Sequence, residues 1–361
     1  MSKKELINGN YAIALAAIKA NIDAFFGYPI TPQNEVPEFL SKMLPEAGKV
    51  FVQAESEIAA AQMVYGAAGV GKRVMTSSSS VGIALKQETF SYLCGSELPC
   101  VIVSVMRAGP GLGGIQPSQG DYYQATRGGG NGDYNMVVYA PESIEETLKY
   151  IQEGFEVAEY YRNPVMVLVD GLIGQMMESV DPNVEVKKRT SPHHNWAANG
   201  TINHPGKRNI INSLFLDPQK LYEHNLKLQR KYRQMKKDEV LYEMVNMENP
   251  DYVIVAYGTM ARISRSAIIE LKKEGINVGM IRPITVWPFP YEAFDQIPKT
   301  CKGILTVELS MGQMLDDVLI ANNGRHPVAF CGKAGGILID STEIVDVIRN
   351  FKKWVIKDAN L

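Results

Sequence analysis

The segment Gln53-Ala-Glu-Ser-Glu57 places acidic side chains between a short hydrophobic strand and an apolar, alanine-rich helix. A carboxylate at such a junction can be buried, and burial disfavours its charged form, so that it keeps a proton more readily. Such a group is a useful proton donor to a ring nitrogen near neutral pH. Acidic residues in a first helical turn are also stabilised by the helix dipole. These residues alone favour that second, structural explanation.

Two further polar residues follow predicted strands. Arg107 comes directly after the hydrophobic run 100–106, and Thr31 lies between two prolines after residues 23–28. Ligands of open α/β sheets bind at the carboxyl ends of strands. An arginine there suits a carboxylate or phosphate, although an internal ion pair explains it equally well. Thr31 is explained more simply as the N-cap of a helix starting at Pro32; alternatively, Thr31 and the free N–H groups at this helix start receive an anion.

Two glycine-rich motifs resemble nucleotide sites but fit them poorly. Gly66-Ala-Ala-Gly-Val-Gly71-Lys72 has most of a P-loop pattern. However, Arg73 stands where Ser or Thr should bind magnesium, and the segment runs from helix into strand, the reverse of a P-loop. Gly109-Pro-Gly111-Leu-Gly-Gly114 follows a strand, but Pro110 and Pro117 favour a loop over the helix of a Rossmann fold. We predict that residues 109–114 form a loop over a ligand.

Metal ligation by this chain has little support in the sequence. Four cysteines occur without a C-x-x-C pair, at Cys94, Cys100, Cys301 and Cys331. This spacing argues against a zinc site or an iron–sulfur cluster held by this chain alone, and predicts free buried thiols. His193, His194 and His204 have no acidic or thiol residues that complete a ligand set, and we interpret them as surface histidines.

Composition limits the class of protein. The chain has 361 residues, 45% of them hydrophobic, and a net charge of −2. This length suggests roughly two domains, and the charge gives no case for nucleic-acid or membrane binding by the whole chain. Residues 227–237 hold six basic residues flanked by acidic ones, which favours a solvated helix face or a partner contact. Without a good signal peptide or an apolar run of ~20 residues, we predict a cytoplasmic protein.

The predicted elements form two α/β units. Helices and strands alternate from residue 10 to about 180, which favours a parallel sheet with helices on both faces. Residues 181–217 are polar and read as a linker, and residues 221–247 as a long charged helix. Strands and helices alternate again after this helix. We therefore predict three parts: one domain at residues 1–185, a linker with the charged helix at 186–248, and a second domain at 249–361.

Four segments together are more specific than any one motif. They are Gly27-Tyr-Pro-Ile-Thr31-Pro, Gln53-Ala-Glu-Ser-Glu57, Met106-Arg107-Ala-Gly-Pro-Gly-Leu-Gly and Arg282-Pro-Ile-Thr-Val-Trp-Pro-Phe-Pro290. In this order and spacing, the chain resembles the alpha subunit of the 2-oxoacid:ferredoxin oxidoreductases over nearly its whole length. The branched-chain type, which acts on 3-methyl-2-oxobutanoate, is the nearest likeness, followed by the 2-oxoglutarate type. The resemblance implies a thiamine-diphosphate pyrimidine-binding domain followed by a transketolase C-terminal-like α/β domain.

The resemblance also implies roles for individual residues. Glu57 would hydrogen-bond the aminopyrimidine ring of thiamine diphosphate and control its proton, with Glu55 as the second candidate for this role. Thr31 and Arg107 match positions that hold the substrate carboxylate, and for Arg107 a bidentate, charge-assisted pair is the physical reason. Two more contacts to the cofactor are implied, from Pro29 and Ile30.

Parts of such an enzyme are missing from this sequence. It contains no Gly-Asp-Gly motif for the magnesium that binds the diphosphate. The resemblance implies that a beta subunit supplies the diphosphate site, Mg²⁺ and a [4Fe-4S] cluster, and that a gamma subunit or domain completes the enzyme. Coenzyme A would accept the acyl group, and a ferredoxin-like subunit or ferredoxin the electrons. The expected reaction is oxidative decarboxylation of a 2-oxoacid to an acyl-CoA and CO2.

Other functions compete with this one. The same reaction on 2-oxoglutarate is the nearest alternative. A nucleotide-dependent transferase built on residues 66–72 would require tight ATP binding. A non-catalytic scaffold subunit would need none of Glu57, Arg107 and Thr31, and their joint presence argues against it.

Overall fold

Most strands in the first part of the chain form a parallel sheet that is covered by helices, and its first and last strands pair with each other in antiparallel orientation. The structure is a computed structural model that describes residues 4–202 and 205–356. The strands in this part are β1 (Glu5–Asn8), β2 (Ala24–Gly27), β3 (Val50–Gln53), β4 (Val74–Ser78), β5 (Val101–Met106), β6 (Val137–Tyr139), β7 (Val165–Asp170) and β8 (Met177–Val180). The helices are α1 (Gly9–Lys19), α2 (Glu35–Glu46), α3 (Glu57–Gly69), α4 (Ser80–Gly95), α5 (Tyr122–Thr126), α6 (Ile144–Tyr161) and α7 (Gly171–Gln175).

Burial of the central strands explains this sheet. Every residue of β4, β5 and β7 is buried, as expected for strands covered on both faces by helices. The helices form two groups, since α1 packs against α2 and α6, whereas α3 packs against α4. The predicted α/β class is confirmed.

The second part of the chain forms a smaller sheet. It contains α8 (Pro218–Asp238), β9 (Tyr242–Val245), β10 (Tyr252–Val255), α9 (Gly258–Lys273), β11 (Val278–Pro283), β12 (Thr285–Trp287), a 3₁₀ helix (Tyr291–Gln296), β13 (Ile304–Glu308), α10 (Gln313–Asn322), β14 (Val328–Gly332), α11 (Ser341–Arg349) and α12 (Phe351–Trp354). Its strand order is β14-β13-β10-β11-β9, with β9 antiparallel to β11. Strand β12 instead joins the first sheet, whose order is β12-β6-β7-β5-β4-β2-β3.

The charged helix is shorter than its sequence suggests. We expected it to continue to residue 247, but α8 ends at Asp238 and the following residues form β9. The run Val240-Leu-Tyr-Glu-Met-Val245 is rich in β-branched and aromatic residues, which pack well on a sheet. Pairing with β11 then overrides the helical pattern.

Buried hydrogen bonds join the two sheets. Gln119 donates from Nε2 to the carbonyl oxygen of Tyr257 and accepts from the N–H of Leu309, at 2.9 Å in both cases. Asp170 at the end of β7 accepts two bonds from Thr259, from the N–H at 2.8 Å and from Oγ1 at 2.5 Å. Burial raises the pKa of Asp170, and the bonds from Thr259 oppose this shift. These contacts fix the second sheet against the carboxyl edge of the first.

Arg282 is a second link between the two parts. Its side chain is 2% exposed, and its Nη1 lies 3.2 Å from a Glu142 oxygen and 3.1 Å from a Glu243 oxygen. Its Nη2 pairs with Glu146. Burial would lower the pKa of Arg282, but these carboxylates outweigh burial and the pKa is raised. A planar guanidinium reaches three carboxylates where a point charge cannot.

We expect Arg282→Lys to lower the free energy of unfolding by about 2 kcal/mol, because the ammonium leaves part of a buried carboxylate cluster unpaired. Thermal unfolding followed by calorimetry measures this loss. Arg262→Lys is the matched control: Arg262 forms one largely exposed pair with Glu178, 2.9 Å long. Its loss should change stability by less than about 0.5 kcal/mol. Equal changes in the two variants would contradict the role given to Arg282.

Two other observations concern the cysteines and the hydrophobicity of the helices. All four cysteines are buried and free, as predicted. Within residues 4–202 and 205–356, none of the helices combines the length and the apolar character required to cross a bilayer.

Candidate active site

The candidate catalytic and substrate-binding residues lie at the carboxyl edge of the first sheet. Strands β5, β4, β2 and β3 are neighbours in that order and run parallel. Their carboxyl ends therefore meet at one edge, which brings together Arg107 after β5, Thr31 after β2 and Glu57 after β3. Ligands bind at this edge in open α/β folds.

Glu57 opens α3 and packs against α4. Ser56 caps the helix, accepting a bond of 3.1 Å from the N–H of Ala59. The Glu57 side chain is 9% exposed and lies over Gly82 of α4. A methyl group at Gly82 would lie 2.9 Å from Oε1 of Glu57, so only glycine leaves room for the carboxylate. Glu55 is exposed, which leaves Glu57 as the buried carboxylate of this pair.

An unpartnered hydroxyl group lies beside Glu57. No side-chain hydrogen bond to Glu57 forms within the described parts of the chain. The hydroxyl of Ser78, at the end of β4, is buried without a partner, and so is Oγ of Ser79. A methyl group at Gly82 would lie 2.1 Å from Oγ of Ser78, so this hydroxyl and the Glu57 carboxylate flank the same space. A ring with hydrogen-bonding nitrogens fits this arrangement, because it would satisfy groups that are costly to leave unpaired.

Arg107 is held by backbone carbonyl groups. Its Nη1 donates to the Thr31 oxygen and its Nη2 to the Leu112 oxygen, both at 3.1 Å. Its own N–H donates to Oγ of Ser80 at 2.9 Å. Among the described residues Arg107 forms no ion pair, and its Nε is buried without a partner. The internal ion pair allowed by the sequence is therefore absent from these residues, and the guanidinium retains donors for an anion.

Asp121 is a candidate site residue that could not be identified from the sequence. It accepts a bond of 2.6 Å from Oγ of Ser80, the hydroxyl that also contacts Arg107. Burial raises the pKa of Asp121 to about 6, and the Ser80 bond and the charge of Arg107 oppose the rise. No motif surrounds Asp121, and its loop is brought to the site only by the tertiary fold.

Thr31 lies in a turn, not at a helix start. We expected a helix starting at Pro32, but α2 begins at Glu35, with Asn34 at the N-cap position. Asn34 donates from Nδ2 to Oγ1 of Thr31 at 3.3 Å. Glu35 puts negative charge in the first turn of α2, so this helix start is a poor anion site. Thr31 still reaches the site, because its carbonyl group holds Arg107.

The two remaining predicted contacts precede Thr31 in the same turn. Pro29 is exposed, whereas Ile30 is half-buried and its carbonyl oxygen accepts from the N–H of Gln33 at 3.0 Å. Both residues follow β2 and lie at the same edge as Thr31.

A cavity of about 370 Å³ lies beside Thr31. Its lining residues are Thr31, Pro32, Asn34, Glu35, Ile115, Gln116, Pro117, Gly171, Leu172 and Gln175. Residues 115–117, which directly follow the predicted loop 109–114, contribute to its lining. The lining contains one carboxylate and no cation, so it suits an apolar group better than an anion.

The competing motifs adopt the conformations that argued against nucleotide binding. Residues 66–72 run from the end of α3 towards β4, and residues 109–114 form a loop with no helix before α5. No group of three or more His, Cys, Asp or Glu side chains is arranged to hold a metal ion in the described ranges. His204 lies outside those ranges.

Comparison with known proteins decides between the remaining classes. Residues 15–244 match the family described as pyruvate flavodoxin/ferredoxin oxidoreductase, thiamine diphosphate-binding. Residues 250–344 match pyruvate:ferredoxin oxidoreductase core domain II.

The chain belongs to this family. The resemblance and the enzyme class predicted from the sequence are thereby confirmed, and so are the α/β fold class and the thiamine diphosphate cofactor.

Individual members of the oxidoreductase family show how the chain relates to whole enzymes. Ketoisovalerate oxidoreductase subunit VorB of Methanothermobacter thermautotrophicus is 46% identical over 96% of this chain and 97% of its own length. The 2-oxoglutarate synthase subunit KorA of Methanocaldococcus jannaschii is 34% identical over 93% of this chain and 96% of its own length. These are named as subunits, and the chain is likewise one subunit of a multi-subunit oxidoreductase.

A solved member of the family has the same architecture. The structure of 2-oxoglutarate:ferredoxin oxidoreductase from Magnetococcus marinus, with 2-oxoglutarate, coenzyme A and succinyl-CoA bound, superposes with a TM-score of 0.86 at 26% identity. The match covers 97% of this chain but 65% of that chain. The chain therefore spans about two thirds of that polypeptide.

Proposed function

We propose that the chain is the alpha subunit of a 3-methyl-2-oxobutanoate:ferredoxin oxidoreductase. The complex would convert this branched 2-oxoacid and coenzyme A into an acyl-CoA, CO2 and reduced ferredoxin. The observation that carries the proposal is the convergence of Glu57, Thr31 and Arg107 at one sheet edge in a chain of the thiamine diphosphate-binding family. The likeness to the VorB subunit supports the branched acid.

Each residue has a defined task in this proposal. Thiamine diphosphate, when bound, supplies the electron sink for loss of CO2. Glu57 holds and exchanges a proton at the pyrimidine ring nitrogen, in a space that Gly82 leaves open because it has no side chain. Arg107 and Thr31 bind the substrate carboxylate, with Arg107 already oriented by two carbonyl groups. Preorganised donors of this kind need little rearrangement during the reaction.

The cofactor contacts and the partners complete the proposal. Pro29 and Ile30 would contact the cofactor ring from the β2 turn. A beta subunit would supply the diphosphate site with Mg²⁺ and a [4Fe-4S] cluster, because the described part of this chain has no metal-binding cluster. A gamma subunit or domain and a ferredoxin-like subunit or ferredoxin would complete electron transfer. The domain division at residues 1–185, 186–248 and 249–361 and the cytoplasmic location stay predictions.

The cavity beside Thr31 supports a branched over a dicarboxylic substrate. Ile115, Pro117 and Leu172 offer apolar contacts to a branched side chain. The lining includes the carboxylate of Glu35 and no cation, so the second carboxylate of 2-oxoglutarate would meet like charge. The 2-oxoglutarate reaction remains the second candidate, because the KorA subunit is similar over nearly the same length.

Reduction of a viologen dye tests the reaction and the substrate. The chain is co-expressed with its partner subunits and assayed with coenzyme A and four acids: 3-methyl-2-oxobutanoate, 2-oxoglutarate, pyruvate and an aryl pyruvate. We expect the highest kcat/KM with the branched acid. A preference for another acid would overturn the proposal that 3-methyl-2-oxobutanoate is the substrate. No turnover with any acid, in a complex that contains thiamine diphosphate and intact clusters, would favour a scaffold subunit.

The cavity makes a separate prediction about Leu172. Leu172→Ala should lower kcat/KM for 3-methyl-2-oxobutanoate about tenfold, because a lost methylene contact is worth ~1–3 kcal/mol in such a pocket. Pyruvate has no branched side chain, so its kcat/KM should change little. Ile269→Ala, which truncates an exposed side chain on α9, is the control. An equal loss with both acids would show that Leu172 does not select the side chain.

A further inference from the structure

Lys86 is a fully buried lysine that the proposed mechanism has not used. It lies on α4, its side chain is 0% exposed, and its Nζ donates to Oγ1 of Thr76 at 2.7 Å and to the Ser77 oxygen at 3.2 Å. Both acceptors are neutral. Lysine is almost never fully buried unless it is paired with an opposite charge. A carboxylate near Lys86 would offset part of the cost of burying its charge.

Glu57 packs on α4 one helical turn away from Lys86. Gly82, against which the Glu57 carboxylate packs, precedes Lys86 by one helical turn on α4. Residues four apart lie on the same helix face, so Lys86 lies on the face of α4 that Glu57 contacts, one turn further along the helix. Burial lowers the pKa of Lys86 to about 7, and the negative charge of Glu57 opposes this shift.

The other elements around Lys86 bring no competing charge. Strand β4 has the sequence Val-Met-Thr-Ser-Ser and presents only hydroxyl and carbonyl groups. Next to it, Gln33 is neutral and accepts from Oγ of Ser77. On α4 itself, Glu88 pairs with Tyr92 at the exposed surface. Among the described residues, Glu57 is therefore the carboxylate that we assign to Lys86, because it packs on the same helix at Gly82.

We propose that Lys86 is a positioning residue that acts through Glu57: its buried positive charge, one helical turn from the glycine on which Glu57 packs, stabilises the Glu57 carboxylate. This inference rests on the proposed role of Glu57. A nearby cation stabilises the charged form of a carboxylate.

The first test is the pH profile of the assembled complex. In Lys86→Met, which keeps the length of the side chain without its charge, we expect the acidic limb of kcat/KM for the 2-oxoacid to move up. The expected size is about one pH unit, typical of one opposite charge near a carboxylate. Lys231→Met is the matched control, because Lys231 is also largely buried but pairs with Glu97, 3.4 Å away. Its profile should not move.

The second test needs neither turnover nor cofactor. Because the folded-state pKa of Lys86 is lowered from 10.5 to about 7, the unfolded chain binds more protons between these values. The free energy of unfolding therefore rises with pH across this window. Below pH 7 the buried lysine is charged and destabilises the folded state to the full extent. We expect Lys86→Met to raise the unfolding temperature of the cofactor-free complex more at pH 6 than at pH 10.

A double-mutant cycle then tests the coupling between the two residues. The gain from Lys86→Met at pH 6 should be larger in a Glu57→Gln background, because the lysine there has lost its counter-charge. Additive unfolding temperatures would overturn the inference, and so would an unshifted pH profile. Full turnover by Glu57→Gln would instead overturn the proposed function, while the cycle would still report on Lys86.

Discussion

Glu57→Gln should lower kcat of the assembled complex about 1000-fold, within the range that general acid–base groups contribute. The amide has nearly the shape of the carboxylate and can remain packed on Gly82. It cannot take up and release a proton at the pyrimidine ring. Dye reduction with saturating 3-methyl-2-oxobutanoate, coenzyme A and thiamine diphosphate measures the loss.

Glu55→Gln is the matched control for this variant. Glu55 is exposed and lies two residues before Glu57, so its loss should leave kcat within about twofold. The cofactor content of both complexes is measured alongside. A Glu57→Gln complex that retains thiamine diphosphate and full turnover would contradict the catalytic assignment.

Arg107→Lys should lower kcat/KM for the 2-oxoacid about 100-fold, because two charge-assisted hydrogen bonds are worth about 1.4 kcal/mol or more each. Lysine keeps the charge, but its single nitrogen atom cannot replace the two with which Arg107 donates to the Thr31 and Leu112 carbonyl groups, nor the planar fork that binds a carboxylate. Steady-state kinetics with the 2-oxoacid varied at fixed coenzyme A measure this loss.

The KM for coenzyme A separates substrate binding from a general defect. It should change little in Arg107→Lys, because Arg107 is assigned to the carboxylate of the 2-oxoacid. Arg127→Lys, which alters a half-exposed pair with Asp317, is the control for loss of a guanidinium group. A Lys variant with normal kcat/KM for the 2-oxoacid would remove Arg107 from the substrate site.

Local sequence predicted the parts of the fold that depend on local patterns. The buried β-branched runs gave β5 and β7, and the alternation of strands and helices gave the parallel sheet. The extent of α8 could not be predicted in this way, because pairing of β9 with β11 decides where the helix ends. The predicted start of α2 was also wrong, because Thr31 is held in a turn by contacts to residues far away in sequence.

The residues of the candidate site likewise include some that local sequence predicted and some that it did not. Glu57 and Arg107 were visible in the sequence because each follows a predicted strand. Asp121 and Lys86 were not, because neither lies in a motif and each owes its surroundings to elements distant in the chain. Gly82 looks like an ordinary helix residue until the Glu57 carboxylate is found packed on it.

A structure of the assembled complex with thiamine diphosphate and 3-methyl-2-oxobutanoate tests the central claim most directly. We predict that a carboxylate oxygen of Glu57 lies within hydrogen-bond distance of a pyrimidine ring nitrogen, and that the diphosphate is held by the partner subunit. The substrate carboxylate should lie against Arg107 and Thr31. A cofactor ring bound away from Glu57, with this sheet edge empty, would contradict the account.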